Sequence, residues 1–224
     1  MENIGNDPTT HRGIRTFATP SQWATLRTVG HGKTFQPREP VLRQGDAGSS
    51  VVLLLSGRAK VTYAAPDGTE ALLSIRGAGD LVGEVACADN EPRTATVWAL
   101  ERLTVRIIPF NEFTGLATEF GWMPMLWNYW ADRFRQACSR TWRLANQPPA
   151  RKLASLFVAM AEAGGGSPVV PMTQEELAES FGLSRRTVGT VLSDWKAEGL
   201  ITIRRSKVDI RDLERIAAIL PSGM

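Results

Sequence analysis

The chain has 224 residues, enough for one large domain or two small ones. Hydrophobic residues make up 43% of it and charged residues 22%, which is typical of a globular protein and excludes a disordered or collagen-like chain. The 26 basic and 23 acidic side chains give a formal net charge of +3, too small by itself to predict a nucleic-acid partner.

The cysteines and apolar runs exclude several other classes. Cys87 and Cys138 are too few for a disulfide framework or a four-thiolate iron–sulfur cluster. The longest apolar runs, such as Val51–Leu55, are far shorter than the roughly 20 residues of a membrane span. Residues 1–15 lack the apolar core of a signal peptide. We therefore expect a cytoplasmic protein with no membrane partner.

The predicted elements change character along the chain. A flexible polar tail is predicted over residues 1–20, followed by a short helix through Val29. Between residues 32 and 110, short apolar runs alternate with Gly, Pro and Asp turn signals, which is typical of an antiparallel barrel or roll. The predicted strands are Val51–Leu55, Ala59–Tyr63, Ala71–Ile75, Thr94–Ala99 and Leu103–Ile108.

One long helix is predicted from Gly115 to about Ala145, where turn residues become rare. Its apolar positions follow alternating steps of four and three, as in the seam of a coiled coil. The pattern fits either a helix packed on its own barrel or a parallel homodimer, and the large aromatic residues favour the homodimer. The seam residues are Met123, Trp127, Trp130, Phe134, Ala137, Thr141 and Leu144.

The run Asn146-Gln147-Pro148-Pro149 predicts the end of this helix and a hinge, because proline removes an amide donor and restricts the residue before it. A helix at Arg151–Ala163, a helix–turn–helix from Thr173 to Leu200 and a two-stranded basic wing are predicted beyond it. The fold class is therefore α+β. Its predicted parts are the tail 1–20, a β-roll 21–115, a dimerisation helix and hinge 116–146, and a winged helix–turn–helix 147–224.

The helix–turn–helix carries the signals of a DNA-reading helix. Thr173 and Glu176 form a capping box, Gly182 supplies the turn, and Ser184 caps the second helix. The first residues of such a helix meet base edges in the major groove, where arginine matches the acceptors of guanine, whereas wing cations contact phosphates. A helical hairpin with solvated arginines is the alternative. The predicted DNA-binding residues are Thr173, Ser184, Arg185, Arg186, Thr187, Gly189, Thr190, Arg204, Arg205 and Lys207.

The segments Thr173–Ala178 and Leu183–Gly189 resemble the winged helix–turn–helix of the cyclic-AMP receptor protein family, the Crp–Fnr regulators. The recognition helix of the family's type member reads Ser-Arg-Glu-Thr-Val-Gly-Arg. Here Arg185 is kept, Arg186 replaces the glutamate and Thr190 replaces the later arginine, so the type member's operator is not expected. The resemblance implies a homodimeric transcription regulator on near-palindromic duplex DNA, with RNA polymerase as a further candidate partner.

A second motif joins Gly83-Glu84-Val85-Ala86 to Arg93-Thr94, with Arg93 nine residues after Glu84. It resembles the phosphate-binding cassette of cyclic-nucleotide-binding domains. The resemblance implies that helix amides and the Arg93 guanidinium hold a cyclic phosphodiester. It also implies that Thr94 adds a hydroxyl and that Glu84 accepts the ribose 2′-hydroxyl. The effector predicted in this way is cAMP or cGMP.

The base end of this predicted site is less complete. In the type member a Thr–Ser pair on the long helix contacts adenine, and alignment from the hinge places Ala137 and Cys138 there. Arg133, one turn earlier, is either a contact to Glu84 or the ligand, or a solvated surface charge. The predicted effector-binding residues are Gly83, Glu84, Val85, Ala86, Arg93, Thr94, Arg133, Ala137 and Cys138.

Two alternatives remain open. In one, Glu84 and Arg93 pair with each other in a regulator whose sensor site is empty, redox-based through Cys87, or filled by another ligand; haem is disfavoured because His11 and His31 are expected on the surface. In the other, the chain is a cyclic-nucleotide-binding signalling adaptor or enzyme. The sequence has no nucleophile–histidine pair, P-loop or metal-spaced histidine cluster, so no catalytic residue and no metal site are predicted.

Overall fold

The computed structural model describes residues 13–220, which form two compact units. The N-terminal unit contains residues up to Asp132 together with 163–165, and the C-terminal unit contains 133–162 and the residues from 166 onward. The strands of the N-terminal unit are β1 (His31–Phe35), β2 (Pro40–Leu42), β3 (Ser50–Ser56), β4 (Ala59–Ala64), β5 (Glu70–Arg76), β6 (Leu81–Val82), β7 (Thr96–Ala99) and β8 (Leu103–Pro109). The helices that begin in this unit are α1 (Pro20–Leu26), α2 (Glu84–Ala88), α3 (Phe110–Glu119) and α4 (Met123–Asn146).

The strands form two four-stranded antiparallel sheets, in the orders β1-β8-β3-β6 and β2-β7-β4-β5. A tight turn at Asp67-Gly68 joins β4 to β5, and Gly68 takes the positive φ of 87° that such a turn requires. These sheets and helices confirm the predicted antiparallel roll.

Strand β3 is an uninterrupted apolar run because it is buried on both faces in the middle of the roll. Its alternate side chains point to opposite faces, and both faces are buried. Val51 and Leu53 join a core cluster with Trp122 and other residues of the helices, whereas Val52 and Leu54 join the cluster inside the roll.

Several elements differ from the prediction. Ile14, expected in a loose tail, is fully buried at the start of a short 3-10 helix, because its side chain fills the core cluster beside α4. The strands β1, β2 and β6 were not predicted. The single helix expected from Gly115 is two helices, since Gly121 takes a φ of 61° and turns the chain so that Trp122 enters the core.

The C-terminal unit contains the second half of α4, a three-stranded sheet and four further helices. The predicted wing is present and has an additional strand, with the order β10-β11-β9. The strands are β9 (Val169–Val170), β10 (Ile201–Ile203) and β11 (Val208–Ile210). The helices are α5 (Pro149–Ala163), α6 (Gln174–Glu179), α7 (Arg185–Ala197) and α8 (Leu213–Ala217).

The caps predicted for the helix–turn–helix are confirmed. The Thr173 hydroxyl accepts the Glu176 amide hydrogen at 3.2 Å, and the Glu176 carboxylate accepts the Thr173 amide hydrogen at 2.8 Å. Ser184 accepts the Thr187 amide hydrogen at 3.0 Å at the start of α7.

Arg140 of α4 lies 5.7 Å from the ring centre of Phe181 in the turn between α6 and α7. Burial lowers the pKa of Arg140 to about 10, so it stays charged at neutral pH.

No helix within residues 13–220 combines the length and the apolar character needed to cross a membrane. The same residues contain no group of three or more His, Cys, Asp and Glu side chains arranged to hold a metal ion. His31 is exposed, as expected, and His11 lies outside the described residues.

Candidate functional site

The predicted cassette begins where β6 ends. Pairing of Leu81 and Val82 with β3 brings the chain to Gly83, which takes a φ of 87° and occupies the N-cap position of α2. A Cβ atom at Gly83 would lie 2.5 Å from Nη1 of Arg93, closer than side chains approach one another. Glycine is therefore required both by the backbone conformation and by the approach of the arginine.

Arg93 is the buried centre of this cassette, with only 5% of its surface exposed. Its Nη1 atom donates to the Gly83 carbonyl and lies 3.7 Å from Cys87 Sγ, and its Nη2 atom donates to the Ser50 carbonyl at 2.6 Å. Its backbone is fixed as well, because its amide donates to the Asp46 carbonyl at 2.7 Å. These bonds use the Nη atoms and leave the Nε hydrogen for another acceptor.

The remaining cassette residues differ in exposure. Ala86 is buried against Gly48, Glu84 is half-buried, and Val85 and Thr94 are exposed. The side-chain bonds of Arg93 within the described residues go to two carbonyls and a thiol, so the alternative in which it pairs with Glu84 is not the arrangement in this structure.

The three effector residues predicted on α4 belong to the C-terminal unit. Ala137 and Cys138 are exposed and Arg133 is half-buried. Their contact with an effector stays a prediction.

Sequence reasoning missed the groups that position Arg93. The carbonyl of Ser50 carries no side-chain signal in the sequence, and the role of Cys87 depends on the fold. Cys87 is buried, and its thiol donates to the Ser50 carbonyl at 3.3 Å. Burial raises the pKa of this thiol above its usual range, and the nearby Arg93 only partly opposes that effect.

The second candidate site is the exposed face at the start of α7. The Arg185 side chain is 72% exposed and lies 3.5 Å from the carboxylate of Glu175 on α6, while Arg186 and Thr190 are exposed. Thr187 is half-buried, and its hydroxyl lies 2.8 Å from that of Ser184. An exposed ion pair of this kind is weak, so Arg185 is free to exchange its partner for another acceptor.

The wing places one acidic residue among its cations. The carboxylate of Asp209 on β11 is mostly buried; it accepts a hydrogen bond from Arg204 and lies 3.8 Å from the Lys207 ammonium. Arg205 is exposed, and its side chain bonds to no residue within 13–220. The three wing cations are therefore not equivalent.

Comparison with known proteins identifies both halves of the chain. The cyclic nucleotide-binding domain family matches residues 32–120, and the Crp-like helix-turn-helix domain family matches residues 151–219. Together they define a class of regulators that join a ligand-binding roll to a DNA-binding domain. The chain belongs to the Crp–Fnr family of transcription regulators.

Relatives match over most of their length. The chain is 29% identical to a CRP-like cAMP-activated global transcriptional regulator of Mycobacterium tuberculosis, over 92% of this chain and 95% of the relative. It is 27% identical to the cyclic AMP receptor protein of Thermus thermophilus, over 80% and 84%. A crystal structure of a CRP-family transcriptional regulator from Thermus thermophilus has the same fold, with a TM-score of 0.70 at 23% identity over 83% of this chain and 96% of that one.

The two thiols are expected to react at different rates. Iodoacetamide at pH 8 should label exposed Cys138 first, because burial and a raised pKa keep Cys87 as the thiol. Labelling of Cys87 should accelerate as the pH rises further, since its thiolate forms only there. Mass spectrometry of timed samples measures both rates, and Cys138→Ser should leave only the slow reaction. Equal rates at pH 8 would contradict the burial of Cys87.

Proposed function

We propose that this chain is a homodimeric, sequence-specific DNA-binding transcription regulator controlled by a cyclic nucleotide, cAMP or cGMP, bound in the N-terminal roll. The observation that carries the proposal is the buried Arg93 guanidinium, held by backbone carbonyls beside the glycine cap of α2. The same chain carries an exposed pair of arginines at the start of α7.

The proposed ligand chemistry follows from the fixed orientation of Arg93. A cyclic phosphodiester carries one negative charge, and the Nε hydrogen of Arg93 is a donor that its backbone contacts do not use. Because the guanidinium is already held in place, little side-chain entropy is lost when it binds an anion. Cyclic AMP is favoured by the relatives from Mycobacterium tuberculosis and Thermus thermophilus, whose names carry cAMP and cyclic AMP.

The proposed dimer interface is the predicted seam on α4. Trp127 is 63% exposed and Phe134 70% exposed, and the smaller Ala137 and Thr141 of the same seam are exposed as well. Large aromatic surfaces at coiled-coil spacing are best buried against the same surface of a second chain. A second copy also supplies the second recognition helix that a near-palindromic operator requires.

The proposed base-reading residues are Arg185, Arg186 and Thr190, which are exposed on α7. In a dimer the two α7 helices would enter successive major grooves about 34 Å apart. The effector would act by binding one arrangement of these helices more tightly than the other. We propose RNA polymerase as the regulator's protein partner.

Calorimetric titration with cAMP and with cGMP tests the effector. We expect binding of at least one of them, and we expect Arg93→Lys to weaken it by about tenfold because lysine lacks the planar fork of donors. Arg102→Lys, an exposed position on the same unit, is the matched control and should bind as the wild type does. No heat with either nucleotide would overturn the effector assignment and favour the alternative with a different or empty sensor site.

Sedimentation equilibrium tests the dimer. Phe134→Glu should sediment with the mass of one chain, because a charge at the centre of the seam must be desolvated on association. Asn128→Glu places the same charge on an exposed position of α4 outside the seam and should leave the mass of two chains unchanged. A dimer that survives Phe134→Glu would contradict this interface.

Selection from a randomised duplex pool provides the operator needed to test base reading. Arg185→Ala and Arg186→Ala should each weaken binding to the selected duplex about tenfold or more, with little effect on unrelated DNA. Lys196→Ala removes an exposed cation from the last turn of the same helix and is the control. Equal losses on selected and unrelated DNA would assign these arginines to phosphates, and no loss at all would overturn their role in base reading. A wild-type chain that selects no duplex would favour a signalling adaptor.

Salt titration distinguishes the cations of the wing. Arg205→Ala should lower the slope of log affinity against log salt concentration by about one, because one phosphate contact is lost. Arg204→Ala should change the slope less, since Asp209 already neutralises that cation. The opposite order would show that Asp209 releases Arg204 to the DNA.

A further inference from the structure

A buried tyrosine of the long helix α4 is hydrogen-bonded to β6, the strand that precedes the cassette. Tyr129 on α4 is fully buried, and its hydroxyl accepts the amide hydrogen of Leu81 at 3.1 Å. The hydroxyl proton has two acceptors, the Leu81 carbonyl at 3.0 Å and the Asp80 carboxylate at 3.4 Å. One side chain of α4 therefore bonds both main-chain groups of a single residue of β6.

Leu81 lies two residues before Gly83, the N-cap of α2. Only Val82, the second of the two residues of β6, lies between them, so little chain is available to absorb a displacement of Gly83 and α2 before it reaches Leu81. The hydrogen bonds to Tyr129 then carry that displacement to α4, because a fully buried ring cannot move independently of its helix.

The groups around the hydroxyl hold it in position. The second oxygen of the Asp80 carboxylate accepts the Gly77 amide hydrogen at 2.9 Å. The ring of Phe17 packs edge-on against the Tyr129 ring, with 6.4 Å between centroids. The segment that carries Phe17 is itself attached to the same turn, since the Ile14 amide donates to the Gly79 carbonyl at 2.7 Å.

The turn of α4 that carries Tyr129 also carries part of the proposed dimer seam. Trp127 and Trp130 lie on either side of Tyr129 in sequence, and their rings meet at an angle of 89° with centroids 5.7 Å apart. From there α4 continues without interruption to Asn146. A shift of Tyr129 along or around the helix axis therefore shifts the seam.

We propose that Tyr129 is a positioning residue that couples the nucleotide cassette to the dimerisation helix through its hydrogen bonds to Leu81. This inference rests on the proposed function, and it adds the residue through which an effector in the roll changes the affinity for DNA. Tyr129 does not touch the effector in this proposal. It carries the coupling free energy between the two sites, which must be reciprocal.

The test compares Tyr129→Phe with Tyr63→Phe, the same substitution at the other tyrosine of the chain, which is 44% exposed on β4. The full chain is titrated with cAMP and with cGMP, in the absence and in the presence of the selected duplex. It is also titrated with the selected duplex, in the absence and in the presence of the nucleotide that binds. For Tyr129→Phe we expect nucleotide affinity in the absence of DNA within about twofold of the wild type. We expect the nucleotide-induced gain in DNA affinity to fall about fivefold, the worth of one net hydrogen bond. Tyr63→Phe should keep the full gain.

Hydrogen exchange of the wild-type chain provides a second measurement that needs no variant. Nucleotide binding should change the protection of the Leu81 amide and of the amides around Tyr129 together. The inference is overturned, while the proposed function stands, if Tyr129→Phe keeps the full gain in DNA affinity or if the protection of the Leu81 amide does not change on nucleotide binding. A wild-type chain that binds neither nucleotide overturns the proposed function itself, so the two failures are distinguishable.

Discussion

A single buried cation, the guanidinium of Arg93, determines the geometry of the cassette. A charge with so little exposure must be stabilised by hydrogen bonds, and the Nη atoms of Arg93 donate to the carbonyls of Gly83 and Ser50. Those carbonyls belong to the cap of α2 and to the start of β3, so the arginine joins the two elements. The absence of a side chain at Gly83 then follows from the position of the arginine.

The local parts of this structure could be predicted from the sequence because their signals lie within a few residues. The side chains of Thr173 and Ser184 cap helices by accepting the backbone amide hydrogen of the residue three positions later, and the turn at Gly68 depends on the conformation of one residue. The uninterrupted apolar run of β3 indicates a strand that is buried on both faces. The roll and the winged helix–turn–helix were therefore predictable in outline, whereas the binding roles of the residues in the cassette and on α7 stay predictions.

The features that the sequence did not predict depend on distant partners or on the main chain. Ile14 is buried because it packs in the same core cluster as residues of α4. The helix is interrupted before Trp122 because the Trp122 side chain lies in that cluster. Ser50 acts on Arg93 through its carbonyl, which any residue would supply. Asp209 looks like one more strand residue until the hairpin brings it beside Arg204 and Lys207. Each of these contacts requires the folded chain.

The buried carboxylate of the wing has a consequence for how a regulator with this hairpin would search a genome. Non-specific affinity rises with every phosphate that a protein neutralises, and a regulator held too firmly by arbitrary sequence spends its time away from its operator. By drawing on two of the three cations, Asp209 lowers the charge that the hairpin offers to any duplex. In the proposed regulator, residence at wrong sites would thereby be shortened, and discrimination would depend on the bases that α7 is proposed to contact.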